Sequence, residues 1–215
     1  MFFIRKHYLI VLLPLLPTTA SVFGQDIYPA DTLVSSNEVS MIGKAFVLPI
    51  SLWQRFSYNV PFIQCQYYPS CSNYAAGSIS EHGVLLGTAL ASDRIVRCNP
   101  FAHHYHLRET PGEFHPDGRI VDPVPALPFA AENNGNKSPL LASAFSTLIP
   151  GAGRIYAGRT WDGILGFLTV VLAANVTRVS HQRERRFETA IFGLVTAAFY
   201  SGEILGAYRT TAKMR

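Results

Sequence analysis

Charge is what this chain has least of. Only 15% of its 215 residues are Asp, Glu, Lys or Arg, against 48% that are hydrophobic, whereas soluble domains carry about 25% charged residues. That shortage argues against an ordinary soluble protein and for association with a membrane. Catalytic signatures are missing as well: there is no phosphate-cradling glycine loop, no HExxH and no GxSxG nucleophile elbow, which lowers the standing of an enzyme. No repeat of solenoid period is present. The formal charge of +4 comes without any nucleic-acid-binding motif, so the basic balance points to an anionic lipid surface and no nucleic acid is expected as a partner.

The first 25 residues, MFFIRKHYLIVLLPLLPTTASVFGQ, lack an apolar run long enough to span a bilayer, which takes about 20 residues, and Pro14 and Pro17 interrupt the run they have. Arg5 and Lys6 precede the apolar stretch Leu9 to Leu16, and Val22 and Gly24 suit a cleavage site. This reads as a secretory signal peptide over residues 1–25.

Texture changes again at ALPFAAENNGNKSP, a polar stretch rich in Asn and Gly that places a linker at 126–138 between a cysteine-bearing domain, 26–125, and an apolar domain, 139–215. Within the latter, Trp161 to Val179 and Thr189 to Tyr208 each have the length of a bilayer crossing, and HQRERRFE between them is long enough only for a turn. The expectation is a transmembrane helical hairpin. Ala198, Gly202 and Gly206 fall at i, i+4 and i+8, a flat stripe that lets another helix approach closely. PLLASAFSTLI, at 139–149, is half a crossing, as for a re-entrant or interfacial helix. In the PGAGRIYAG turn after it, Pro150 ends the helix and Gly151 and Gly153 bend the chain, with Tyr156 and Trp161 suited to the headgroup level. The segment is similar to short two-helix membrane domains marked by a PGxGxxYxG turn, a resemblance that informs placement only. Glu203 inside the last apolar segment would be expensive in mid-bilayer, but it sits close enough to Tyr208 to reach the interface.

Cysteine is scarce: three residues, Cys65, Cys71 and Cys98. Ser70 or Ser72 can cap a helix running through Tyr74 and Ile79, His82-Gly83 can stop it, and Val84 to Arg97 can form a second helix with Leu86 and Leu90 inward. Such a pair, turning at Gly83, brings Cys98 back to the first two cysteines. Three uses remain open: a Cys65–Cys71 disulfide with Cys98 spare, a zinc site drawing a fourth ligand from His103, His104, His106 or His115, or a catalytic thiol.

CQYYPSCSNYA, HGVLLGTALASDRIVRCNP and DPVP together resemble the YidD-type membrane protein insertion efficiency factors over about residues 53–125. The matching residues are Cys65, Pro69, Cys71, Ser72, Tyr74, Gly83, Arg94, Arg97, Cys98, Pro100, Asp122, Pro123 and Pro125. The resemblance implies a small helical, non-enzymatic accessory protein at the bacterial inner membrane that assists insertion of membrane proteins; together with the hairpin, the expectation is an all-α protein integral to that membrane. It implies no catalytic residue, cofactor or metal. Its partners would be the phospholipid bilayer, the insertase or translocon, and nascent membrane proteins. Family members lead with an amphipathic helix; begun here at Pro49, it sets Ile50, Leu52, Trp53 and Phe56 opposite Ser51 and Arg55, with Arg55, Arg94 and Arg97 available to lipid phosphate. The alternative is a membrane-bound Cys/His metalloprotein or enzyme. Three departures from the family pattern stand out: Asn99 replaces a histidine, Tyr58-Asn59 replaces Ser-Pro, and FAHHYHLRETPGEFHPDGRIV, expected to be a solvated loop, replaces a short glycine link. A cleaved signal would make the cysteine domain periplasmic, whereas family members usually work from the cytoplasmic face.

Overall fold

Helix is nearly the whole of the regular structure. In a computed structural model of the chain, residues 28–60, 64–109, 112–126 and 137–212 are described; the signal peptide expected at 1–25 and most of the linker expected at 126–138 lie outside them. The order is α1 (Pro29–Ser35), α2 (Met41–Ser57), β1 (Tyr67–Tyr68), α3 (Cys71–Arg97), α4 (Ala102–Glu109), β2 (Ile120–Val121), α5 (Pro139–Leu148), α6 (Ala152–Ala157), α7 (Thr160–Gln182) and α8 (Arg186–Ala212). The two short strands pair in parallel, Tyr67 with Ile120 and Tyr68 with Val121.

α3 is two helices in sequence. Ser70 caps the first, its hydroxyl accepting the Asn73 N–H, and Gly83 turns the chain at φ 74°, ψ 177°, a conformation only glycine adopts without strain. The second half folds back so closely that a Cβ on Gly87 would stand 2.5 Å from Ile79 Cα. Ala30, Val47, Ala76 and Ile79 form one small core with α1 and α2; Tyr67, Ala102 and Ile120 form another, packed against all three cysteines.

α2 begins at Met41, eight residues before the expected start, with Pro49 inside the helix. A serine cap explains the earlier start: Ser40 accepts the Gly43 N–H. Its inward stripe is Gly43, Val47, Ser51, Gln54 and Ser57, and Gln54 there receives the Ala30 N–H and donates to Asn73. The histidine-bearing insertion is partly helix α4 rather than a loop throughout, because Asn99 accepts the Phe101 N–H and starts it.

α7 and α8 are long and apolar enough to cross a membrane. At about 1.5 Å per residue, the 27 residues of α8 exceed a hydrocarbon core of about 30 Å. The C-terminal part of α8 packs on α3: a Cβ on Gly202 would meet Ser92 Cβ at 2.7 Å. The stripe of small residues is thus used, with α3 as the partner. α5 is a ten-residue helix tied to α8 through Ser143 Oγ donating to the Ile204 carbonyl. Gly153 lies where a Cβ would strike the Ala142 carbonyl at 1.9 Å, so the turn is a packing requirement as well as a bend.

Gly87→Ala should force the two halves of α3 apart and lower the unfolding free energy by about 1–3 kcal/mol. The control is Gly193→Ala, whose added methyl finds only Thr177 at an ordinary 3.9 Å. Denaturant unfolding in detergent should show a shifted midpoint for the first and not the second.

Candidate functional site

The fold-back of α3 does for the sulfurs what the spacing implied. Cys71 opens α3, Cys98 caps its far end, and with Cys65 their Sγ atoms all lie within 4.8 Å of one another. Cys65 and Cys71 are 3.1 Å apart and all three are free thiols, half-buried. The Cys71 N–H donates to Cys65 Sγ at 3.2 Å. Hydrogen bonds from Cys71 and then Cys98 hold the Cys65 thiol far below its usual range despite its burial. The cluster excludes the histidines. His103 Nδ1 faces Gln66 Oε1 at 3.2 Å, His106 Nε2 faces the Glu113 carbonyl at 2.9 Å, His115 pairs with Asp117, and His104 packs edge-on against Tyr105. Asn99 is no ligand either; its amide donates to Asp162 Oδ1 at 2.6 Å and so joins this domain to α7.

The other motif residues converge on Arg94, whose side chain is fully buried. It donates to the Asp122 carbonyl and carboxylate at 2.8 and 2.7 Å and to the Pro69 carbonyl at 3.0 Å. Its guanidinium stacks 3.9 Å from the Tyr67 ring and 4.6 Å from Tyr74. Arg97 reaches the same Asp122 oxygen at 2.7 Å. The β1–β2 pairing sets this up, since Asp122 N donates to Tyr68 O at 3.0 Å directly after the strands. At the far end of the motif, His82 Nε2 lies 2.8 Å from the Pro125 carbonyl, while Pro100 and Pro123 are exposed. Ser72 Oγ accepts from Gln54 at 3.3 Å. Arg94 and Arg97 are therefore spoken for, and the expectation that they meet lipid phosphate is corrected. Arg55 is half exposed but bound to Asp31 at 2.6 Å.

Asp93, beside Arg94, faces the hairpin. Its carboxylate takes Arg154 of α6 at 2.7 Å, Arg209 of α8 at 2.8 Å and Arg97 at 3.2 Å. Arg154 also holds Glu203 at 3.0 Å, with both side chains at 0% exposure, and Arg209 donates to Tyr74 Oη at 3.1 Å. Glu203 thus has a partner in the protein and does not need to reach the interface. Burial would push the Asp93 carboxyl up, but Arg97, Arg154 and Arg209 outweigh it and hold it well below the carboxylate range. Asp122 is depressed in the same way by Arg97 and Arg94. The i,i+4 pair of Asp93 and Arg97 is one edge of this buried network rather than a solvated surface pair.

Sequence reasoning missed the network's cross-links: Arg154, Arg209 and Asp162 went unassigned, although an acid at 203 in an apolar helix calls for a cation from elsewhere. Two faces turn outward instead. On α2, Met41, Ile42, Leu52, Trp53 and Phe56 are exposed, while Ile50 packs inward. On α7 and α8, Phe167, Leu172, Phe187 and Leu194 are among the exposed residues. Tyr156 packs edge-on against Phe145, and Trp161 stacks on Phe101 at 4.6 Å while remaining half exposed.

Two outcomes follow. Arg94→Lys keeps the charge but loses the planar fork and the ring stacking, and should cost about 2 kcal/mol in denaturant unfolding. For Asp93 and Asp122 the folded pKa lies below the unfolded value of about 3.9, so their stabilisation is complete above that pH and lost as pH falls through the folded value. The unfolding midpoint should hold steady from pH 7 to about 4.5 and fall below about 4; a profile that stays flat into strong acid would contradict the assignment.

The cysteine half matches the family model described as "Putative membrane protein insertion efficiency factor" (YidD) over residues 42–106, from α2 into α4. A protein of that name from Anaeromyxobacter sp. (strain Fw109-5) is 40% identical over 85 residues, 40% of this chain and 95% of the relative. One from Anaeromyxobacter dehalogenans (strain 2CP-C) is 39% identical over 87 residues, again 40% and 95%. One from Thermosynechococcus vestitus is 43% identical over 61 residues, 28% of this chain and 68% of the relative. No solved structure matches. With its sulfur trio, its buried Arg94 and two relatives matched over 95% of their length, the chain belongs to the family of membrane protein insertion efficiency factors.

Proposed function

We propose that this chain is a non-catalytic, membrane-anchored accessory factor. It assists insertion of membrane proteins by offering lipid and client segments the outward apolar face of α2. The observation that carries this reading is the inverted build of that helix. Four of its five buried residues, Gly43, Ser51, Gln54 and Ser57, are small or polar and only Val47 is a large aliphatic, whereas Met41 and Ile42 are 81% and 67% exposed and Leu52, Trp53 and Phe56 about half exposed. A soluble monomer has no use for such a stripe; a lipid surface or an apolar client segment does. The hairpin supplies the anchor, since Phe167, Leu172, Phe187 and Leu194 along α7 and α8 lie exposed among the described residues and lipid would cover them. The network around Asp93 holds the cysteine domain on that anchor. The family pattern, the 139–215 anchor domain and the site residues are read together in this way: Cys65, Arg94, Arg97 and Asp122 build the scaffold, and Trp53 and Phe56 meet the membrane or client.

The test is insertion of a reporter membrane protein into vesicles that carry the full chain, read as the protease-protected fraction. Trp53→Glu with Phe56→Glu should abolish the stimulation while circular dichroism and the unfolding midpoint stay unchanged, because both side chains are outside the core. Full stimulation by that variant would refute the proposal.

A further inference from the structure

We propose that Cys65, Cys71 and Cys98 form a three-thiolate site for one thiophilic closed-shell cation, zinc or copper(I), that clamps the open end of the α3 helical hairpin. The sulfurs come from three places that the fold must bring together. Cys71 is the first residue of α3, Cys98 follows its last, and Gly83 turns the chain between them. Cys65 stands just ahead of β1, where Gln66 O accepts the Ile120 N–H at 2.9 Å and fixes the loop to the second strand.

The geometry suits a metal better than a disulfide. A disulfide needs two sulfurs, and nothing in it requires the third to be near. Here all three Sγ atoms are mutually within 4.8 Å, and the shortest separation is 3.1 Å. Thiolates bonded to zinc at about 2.3 Å stand about 3.8 Å apart at tetrahedral angles, so shifts of under about 1 Å would complete the site. Among the described residues no histidine or carboxylate belongs to the group. An all-sulfur donor set selects zinc or copper(I) and rejects magnesium and calcium.

Two of the three sulfurs have outer N–H donors. The Cys71 N–H donates to Cys65 Sγ at 3.2 Å, and Gln66 Nε2 approaches Cys98 Sγ at 3.7 Å. Gln66 is itself fixed, donating to the Asn99 carbonyl at 2.8 Å and facing His103 Nδ1 through its oxygen at 3.2 Å. N–H donors of this kind hold ligands in place and spread their charge. Tyr67, Ala102 and Ile120 close the inner side. The half-buried sulfurs leave a way in for the ion and room for water as a fourth ligand on zinc. Asn99, standing where the family pattern has histidine, is turned away to Asp162, so this chain would hold its metal on sulfur alone.

The experiment uses the full chain purified in detergent under a reducing agent and titrated with cobalt(II), zinc, and copper(I) against a competing chelator. One equivalent should bind per chain. Cobalt should give a thiolate-to-metal charge-transfer band that zinc removes if zinc is the ion; saturation by copper(I) alone would identify copper. X-ray absorption on the loaded wild-type protein should count three sulfur neighbours, and Cys98→Ser should weaken binding at least tenfold. Absence of binding by all three ions would overturn the proposal. So would a count of two sulfurs or fewer, or unchanged affinity in Cys98→Ser. The sulfur count needs no variant, so a misfolded Cys98→Ser leaves the test intact, and no readout depends on insertion activity.

Discussion

One carboxylate, Asp93, is shared by three guanidiniums, and the association of the cysteine domain with the apolar helices depends on it. Arg97 comes from the same helix, but Arg154 and Arg209 come from α6 and α8. Burying so many charges is costly, and the cost is offset only while every partner is in place. Each group holds another: Arg154 is also committed to Glu203, Arg209 to Tyr74, and Arg97 to Asp122. A network of this kind contributes less to gross stability than to geometry, since it tolerates few alternative packings.

Glycine makes that geometry possible. Gly202 and Gly206 let α8 approach α3 until backbone and short side chains touch, and a Cβ on Gly206 would stand 2.2 Å from an Asp93 oxygen. Gly166 does the same for the Glu203 carboxylate. The small-residue stripe on α8 thus serves a charge network between α8 and a neighbouring helix of the same chain. With the motif arginines committed to the fold, many of the large exposed apolar residues among those described lie on α2 and the hairpin. That division suits a protein that acts by contact.

Local signals in the sequence carried much of the fold. The Ser70 cap, the Gly83 turn, the two long apolar segments and the meeting of the sulfurs follow from capping chemistry, glycine's φ range and hydrophobic length. What stayed hidden was long-range pairing. Nothing within a few residues of Asp93 indicates that it meets Arg154 and Arg209, and nothing near Tyr67 announces a two-residue parallel strand pair. The start of α2 was placed too late because Pro49 reads locally as a first turn, whereas Ser40 caps the helix two turns earlier. Arg94 looked like a surface cation because exposure is the usual state of arginine; its burial depends on Pro69 and Asp122, one far behind it in the chain and one far ahead.

The most direct test of the shared carboxylate is a double-mutant cycle on the full chain in detergent, with Asp93→Asn, Arg154→Gln and the pair measured by denaturant unfolding. The account predicts a coupling energy of about 2 kcal/mol or more, each single change having removed most of what the pair contributes. Additivity within about 0.5 kcal/mol would show that the two groups act independently and that the domains are held together by something else.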